Sequence, residues 1–214
     1  MAFEAYDEYE QSERVQQWLR QNGLSIVVGI AIGLVGIFGW QQWNKHKDAH
    51  LTEAANLYQQ VQSAVAAGKA DNANALTEQL LKDYADTTYA VFAASDRAER
   101  QVQDKAMDKA IESLGWAESH AGDANLKALT QLRIARVQLA QDKAADALAT
   151  LDRLPPKSFE GVAQELRGDV LVKLGRPDDA RKAYIAAKAA LGENALPSVQ
   201  MKIDDLAVAG KQGA

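Results

Sequence analysis

His46 and His50 lie four residues apart, a spacing that puts two imidazoles on one side of a helix and suits a divalent metal. A zinc or iron site needs three or four ligands. Cysteine is absent, and no second cluster of carboxylates accompanies the pair. The two histidines therefore read as part of a solvated face. His120 stands alone near a predicted helix end. There is no Gly-rich phosphate loop, no HExxH and no GxSxG. Acidic residues are scattered along helical stretches, as solvated faces require. The expectation is a protein without catalytic residues, metal or cofactor, whose work is binding.

The element that constrains the chain most is LSIVVGIAIGLVGIFGWQQW, residues 24–43, with no charged side chain between Arg20 and Lys45. Twenty helical residues at about 1.5 Å each reach roughly 30 Å, the thickness of a bilayer's hydrocarbon layer. In lipid the backbone must satisfy its own hydrogen bonds, so the stretch is expected to be a transmembrane helix. Trp40 and Trp43 sit at one end and Trp18 beyond the other, where amphipathic rings favour the headgroup region. A cleaved signal peptide would start basic, be shorter and end in small residues. Here the arm of residues 1–23 is acidic and the apolar run ends in FGWQQW. Within the arm, residues 8–21 are expected to form a short interfacial helix with Val15, Trp18 and Leu19 on one face. Ser25, Gly29 and Gly33 recur every four residues along the span, a smooth ridge that allows close packing against another membrane helix.

Orientation is not fixed by charge. Arg14 and Arg20 on one side balance Lys45 and Lys47 on the other. The small size of the arm, without processing signals, favours placing the large body, residues 44–214, outside the cytoplasm. The net charge of −5 divides into −3 before the span and −2 after it. Neither part is basic, so nucleic acid is not an expected partner.

The body reads as helix throughout: rich in Ala, Leu, Lys, Gln and Glu, poor in Pro, with no sustained period-two alternation. Breaks at Gly68, Asp86-Thr87-Thr88, Gly122-Asp123, Pro155-Pro156, Gly175-Arg176-Pro177 and Leu196-Pro197 carry cap and terminator signals. They delimit helices near 46–67, 72–84, 88–102, 105–120, 124–141, 144–153, 158–174, 177–191 and 198–209. Small residues recur twelve apart across successive pairs: Ala98 and Ala110, Ala135 and Ala147, Gly168 and Ala180. In helical hairpin repeats of about 34 residues such pairs let two backbones approach. The predicted fold is all-α: one N-terminal transmembrane helix followed by a tetratricopeptide-like array of hairpins. The match is poor before residue 88, so the first hairpin is expected to be an atypical cap. Val199, Ile203 and Leu206 give the last helix an apolar face suited to closing the far end.

Stacked hairpins line a concave surface with their first helices. The register places Phe92, Ser95, Glu99 and Val102, then Leu129, Leu132, Arg136 and Leu139, then Val162, Glu165, Asp169 and Val172 on that surface. A mostly apolar lining with a few charges suits polypeptide better than a small anion.

Several segments carry a family likeness: the acidic arm, GWQQWN (39–44), NLKAL (125–129), LRIARVQL (132–139), LRGDVLVKLG (166–175) with ARKAY (180–184), and MKIDDLA (201–207). On these the chain resembles, from end to end, the YfgM-like family, ancillary subunits of the SecYEG translocon of Gram-negative bacteria. The resemblance implies a single-pass type II protein of the inner membrane, N-terminus cytoplasmic and tetratricopeptide-like domain periplasmic. It implies association with the SecYEG translocon and with a membrane-anchored periplasmic chaperone of the peptidyl-prolyl isomerase type. It further implies a part in passing exported polypeptides to periplasmic chaperones. The alternative is a scaffold or regulatory subunit of another cell-envelope complex.

Overall fold

The computed structural model describes residues 4–192 and 197–212, and side chains from Arg14 to Leu206 within that range. Among the described residues all regular structure is helical: α1 (Glu4–Ala66), α2 (Ala70–Asp83), α3 (Thr88–Gln103), α4 (Met107–His120), α5 (Ala124–Ala140), α6 (Ala144–Asp152), α7 (Glu160–Lys173), α8 (Pro177–Leu191) and α9 (Pro197–Gln212). The chain divides into two compact units, one ending at Thr52 and one beginning at Glu53.

The first unit is the earlier part of α1. None of its most apolar window is buried, and Leu24, Ile32, Val35 and Phe38 are all more than half exposed. A helix this long and apolar with its side chains uncovered has the length and composition of a single membrane crossing. Sequence reading separates an arm helix, the span and a helix from residue 46; the structure runs them into one. The reason is local. A glycine such as Gly23 costs a helix only about 1 kcal/mol, and no proline interrupts residues 4–66.

The second unit is built on a turn used four times. Gly68, Lys105, Asp142 and Gly175 adopt φ of +68°, +61°, +63° and +71°. The amide just after each donates to a carbonyl five residues back: Lys69 to Ala64 at 2.9 Å, Ala106 to Gln101 at 2.7 Å, Lys143 to Gln138 at 2.9 Å and Arg176 to Leu171 at 2.9 Å. These are Schellman terminations, each satisfying a carbonyl the helix would leave open. Gly68 and Gly175 signal theirs in the sequence. Lys105 and Asp142 adopt the left-handed conformation without glycine, which is why those two turns carry no composition signal.

Seven residues before each turn, and five and nine after it, three buried side chains meet. Ala98, Ala110 and Leu114 share one cluster, and Ala135, Ala147 and Leu151 another. In the last hairpin Gly168 faces Tyr184, beside Ala180. The first hairpin has the same register, occupied by Val61, Ala73 and Thr77, all fully buried. As the first-helix residue shrinks from Val61 through alanine to Gly168, the second-helix residue grows from Thr77 through leucine to Tyr184. Consecutive helices pack in chain order from α2 to α9, and α5 also touches α7. At the far end Val199 and Ile203 of α9 cover Ala183, Tyr184 and Ala187 of α8.

Leu132 corrects the sequence expectation. It is 1% exposed and packs with Ala135, Ala147, Leu151, Leu166 and Val170 rather than facing a groove. Helix α5 is contacted by α4, α6 and α7, so its apolar stripe is wider than one face and periodicity alone cannot say which edge is open.

A methyl group at Gly168 would lie 2.3 Å from Cε1 of Tyr184. Gly168→Ala is expected to lower unfolding free energy by about 1–3 kcal/mol. Adding Tyr184→Leu, which copies the Ala135/Leu151 pairing, is expected to recover part of that loss in thermal or urea unfolding followed by circular dichroism. Additive losses in the double variant would show that the two residues do not share one volume.

Candidate functional site

Helices α3 and α5 are the first helices of adjacent hairpins. Thr87 caps α3 and accepts from the Ala90 amide, and Asp123 caps α5, accepting from Asn125 and Leu126. Between the two helices lie two adjoining concavities. One is lined by Ala98, Glu99, Val102, Leu114, Arg136 and Val137, and the other by Tyr58, Phe92, Asp96, Leu126, Leu129 and Thr130. Each encloses 270 Å³, and both are bordered by Ser95 and Arg133.

Of the groove residues proposed from sequence, Phe92, Glu99, Val102, Leu129 and Arg136 line these concavities. Leu139 and Val162 pack instead against the core cluster around Leu132. Asp169 and Val172 lie on α7, away from both concavities. Val172 is exposed. Asp169 is engaged: its Oδ1 accepts from the Tyr184 hydroxyl at 2.8 Å and from Lys202 Nζ at 2.7 Å. Lys202 of α9 also reaches Glu165 Oε1 at 3.0 Å and lies 5.4 Å from the Tyr184 ring centre. Burial opposes the lysine's charge, yet the Asp169 and Glu165 carboxylates outweigh it and hold its pKa above the ordinary lysine value. The α7 carboxylates are thus satisfied from within the chain.

Several lining residues escaped the sequence reading, among them Tyr58, Asp96 and Arg133. Tyr58 donates to Asp96 Oδ2 at 2.7 Å, and the same oxygen accepts from Gln62 Nε2 at 2.5 Å. Burial, then the adjoining Asp96, pushes the Tyr58 phenol up to about 12. Arg133 lies three residues before Arg136, so helical spacing carries the signal once Arg136 is placed. Neither arginine has an ion-pair or hydrogen-bond partner among the described residues. Tyr58 carries no signal, because it belongs to the hairpin whose register was hidden. A wider hollow of 490 Å³ between α2, α3 and the start of α4 is lined by charges of both signs, among them Glu78, Arg97, Arg100, Asp104 and Lys109.

The repeat-packing residues Ala98, Ala110, Ala135, Ala147, Gly168 and Ala180 are all buried at helix crossings. Along the span Ser25, Gly29 and Gly33 are exposed, and a methyl group at either glycine would meet nothing within 4 Å. Lys47 Nζ sits 5.6 Å from the centre of the Trp43 ring. His120 stacks on Trp116 at 3.9 Å, its Nδ1 2.8 Å from the Trp116 carbonyl. Among the described residues no three His, Cys, Asp or Glu side chains are grouped to hold a metal.

The profile of the tetratricopeptide repeat-like domain family matches residues 16–208. Curated relatives named "Ancillary SecYEG translocon subunit" align over nearly the whole chain. The protein from Escherichia coli K12 is 32% identical over 203 residues, covering 94% of this chain and 98% of the relative. Those from Haemophilus influenzae and Aggregatibacter actinomycetemcomitans are 28% and 26% identical, each with 94% of this chain and 98% of the relative covered.

The Tyr58–Asp96 contact has a pH signature. Below pH 10.0, the ordinary tyrosine value, the phenol is neutral whether the chain is folded or not, and the contact contributes fully. As pH rises from there through about 12 the phenolate forms beside Asp96 and that contribution is lost. Tyr58→Phe is expected to cost about 0.5–1.5 kcal/mol at pH 8. The variant should lose less stability than the parent between pH 10 and 12; parallel melting curves across that range would remove the assignment.

Proposed function

We propose, because the chain belongs to the tetratricopeptide repeat-like domain family and its curated relatives are named ancillary SecYEG translocon subunits, that it is a non-catalytic adaptor at the translocon. In this reading α1 crosses the inner membrane once, with the arm cytoplasmic and the hairpin array periplasmic. The Ser25, Gly29 and Gly33 ridge docks on a membrane helix of the SecYEG assembly. The α3–α5 groove holds exported polypeptides as they emerge and yields them to periplasmic chaperones, among them a membrane-anchored one of the peptidyl-prolyl isomerase type. Residues 1–23, 24–43 and 44–214 are the corresponding cytoplasmic arm, span and periplasmic domain.

The observation that carries the proposal is the groove itself. It has an apolar floor and two guanidinium groups without ion-pair or hydrogen-bond partners among the described residues, and its lining holds no cluster of catalytic groups. A surface of this kind recognises side chains and leaves them chemically unchanged. The exposed apolar stretch of α1 supports the membrane assignment, and the names of the relatives support the translocon as the partner.

A photocrosslinker at position 92, 102 or 136 is expected to trap a stalled, partly exported chain, whereas one at exposed Asp146 should not. Adducts only with mature envelope complexes would favour the scaffold alternative. Gly29→Leu combined with Gly33→Leu is expected to reduce co-purification of SecYEG from detergent extracts several-fold. Undiminished recovery would take the docking role from the ridge.

A further inference from the structure

We infer that α9 is a displaceable strap: it covers a helix-accepting surface on α7 and α8 and yields it to a partner helix that presents a lysine beside an apolar stripe. The surface is separate from the α3–α5 groove, and its place follows from the register of the array. Glu165 and Asp169 stand ten and six residues before the turn at Gly175, as Leu132 and Arg136 do before Asp142, and Ser95 and Glu99 before Lys105. At the earlier levels the first of these positions looks onto the next hairpin's first helix. Ser95 borders the concavities between α3 and α5, and Leu132 packs with Leu166 and Val170 of α7. At the last level the helix met there is α9, whose Lys202 reaches Glu165 at 3.0 Å and Asp169 at 2.7 Å. Helix α9 thus stands where the first helix of a further hairpin would stand.

The present occupant shows what the surface recognises. Val199 and Ile203, one turn apart, enter the apolar strip formed by Leu171, Ala183, Tyr184 and Ala187. Lys202, on the flank of that stripe, brings one ammonium to two carboxylates, and the Tyr184 hydroxyl fixes Asp169 from the α8 side. All three charged side chains are about one-third exposed or less, so water and salt screen them less than a surface pair. At the other edge Lys188 of α8 donates to Gln200, and Gln200 to Asp204. With α9 lifted, Glu165 and Asp169 have no cation partner among the described residues. A helix without a lysine at that point would leave both carboxylates unpaired as it covered them. The strap is also the helix held least. Helices α3 to α8 each pack between two sequence neighbours, and α9 packs on α8 alone. An element held from one side opens below the global unfolding free energy, and a lone helix of this length is only partly formed in water.

The test uses the full chain in lipid nanodiscs. Lys202→Gln is expected to speed amide exchange across residues 197–206 about 10-fold while global unfolding stays nearly unchanged. A fluorescent peptide of sequence 197–212 should bind that variant at least about 10-fold tighter than the parent, whose own tethered α9 competes. Glutamine in place of the peptide's lysine should remove most of that binding. The same exchange should make no difference to a chain carrying Glu165→Gln with Asp169→Asn. The chain has no cysteine of its own, so Lys188→Cys and Gln200→Cys joined by a short bismaleimide would tie α9 down and should abolish capture. Exchange of 197–206 in Lys202→Gln only at the global rate would make α9 a fixed part of the fold and overturn the inference. Capture that survives the cross-link would put the peptide elsewhere and overturn it as well. A dimer in light scattering that the cross-link prevents would assign the surface to α9 of a second copy and overturn the partner helix.

Discussion

Where the two helices of a hairpin cross, side chains from both sides compete for one small volume, and the chain divides that volume differently at each level. Alanine at 98 and 135 leaves room for leucine at 114 and 151, and Gly168 for the ring of Tyr184. Interiors packed to crystal density tolerate neither a void nor an added methylene at such a point. The close approach fixes the geometry of each pair and lets the next pair stack against it. Only when the pairs stack do the first helices α3 and α5 lie side by side and leave a furrow between them. The groove is therefore a consequence of the crossings, although almost none of its lining takes part in them.

That dependence explains what could be read from the chain beforehand. The hairpins from residue 88 onward are legible because their first-helix residues are alanine or glycine, and small-to-small spacing is easy to see. The hairpin formed by the last turns of α1 with α2 keeps the same register but inverts the sizes, and a search for small residues passes over Val61. The turns at Lys105 and Asp142 carry no glycine, so no terminator marks them in the sequence. The groove was half legible. Periodicity found Phe92, Glu99, Val102, Leu129 and Arg136, yet it put Leu132 on the surface and overlooked its neighbour Arg133. A shift of one residue turns a helix by about 100°, and only the neighbours packed on α5 decide which edge stays open.

The last hairpin shows the same logic from the other end. Its first helix, α7, presents Glu165 and Asp169, which in the sequence look like a continuation of the groove's charges. Helix α9 supplies Lys202 to both, and Tyr184 adds its hydroxyl to Asp169. The residue that fills the crossing beside Gly168 therefore also orients a carboxylate. Pattern reading could not anticipate this, because Lys202 lies thirty-odd positions away on an element whose apolar face was its only visible feature. The furrow between α3 and α5 has no such internal cover, and its Arg133 and Arg136 have no ion-pair or hydrogen-bond partner among the described residues.

A furrow of this size would bind weakly, and weakness would suit the adaptor role proposed for it. Burying two apolar side chains is worth about 3–6 kcal/mol before the cost of association is taken off. Free in solution such a site would be half filled only near millimolar ligand. Tethering by a membrane helix changes the arithmetic without changing the contact, since short flexible links give effective concentrations of that same millimolar order. A chain emerging beside the tether would be held, and one that had moved away would not be recaptured. Tighter packing in the furrow would raise occupancy and slow release together, because affinity differences of this kind reside mainly in the off-rate.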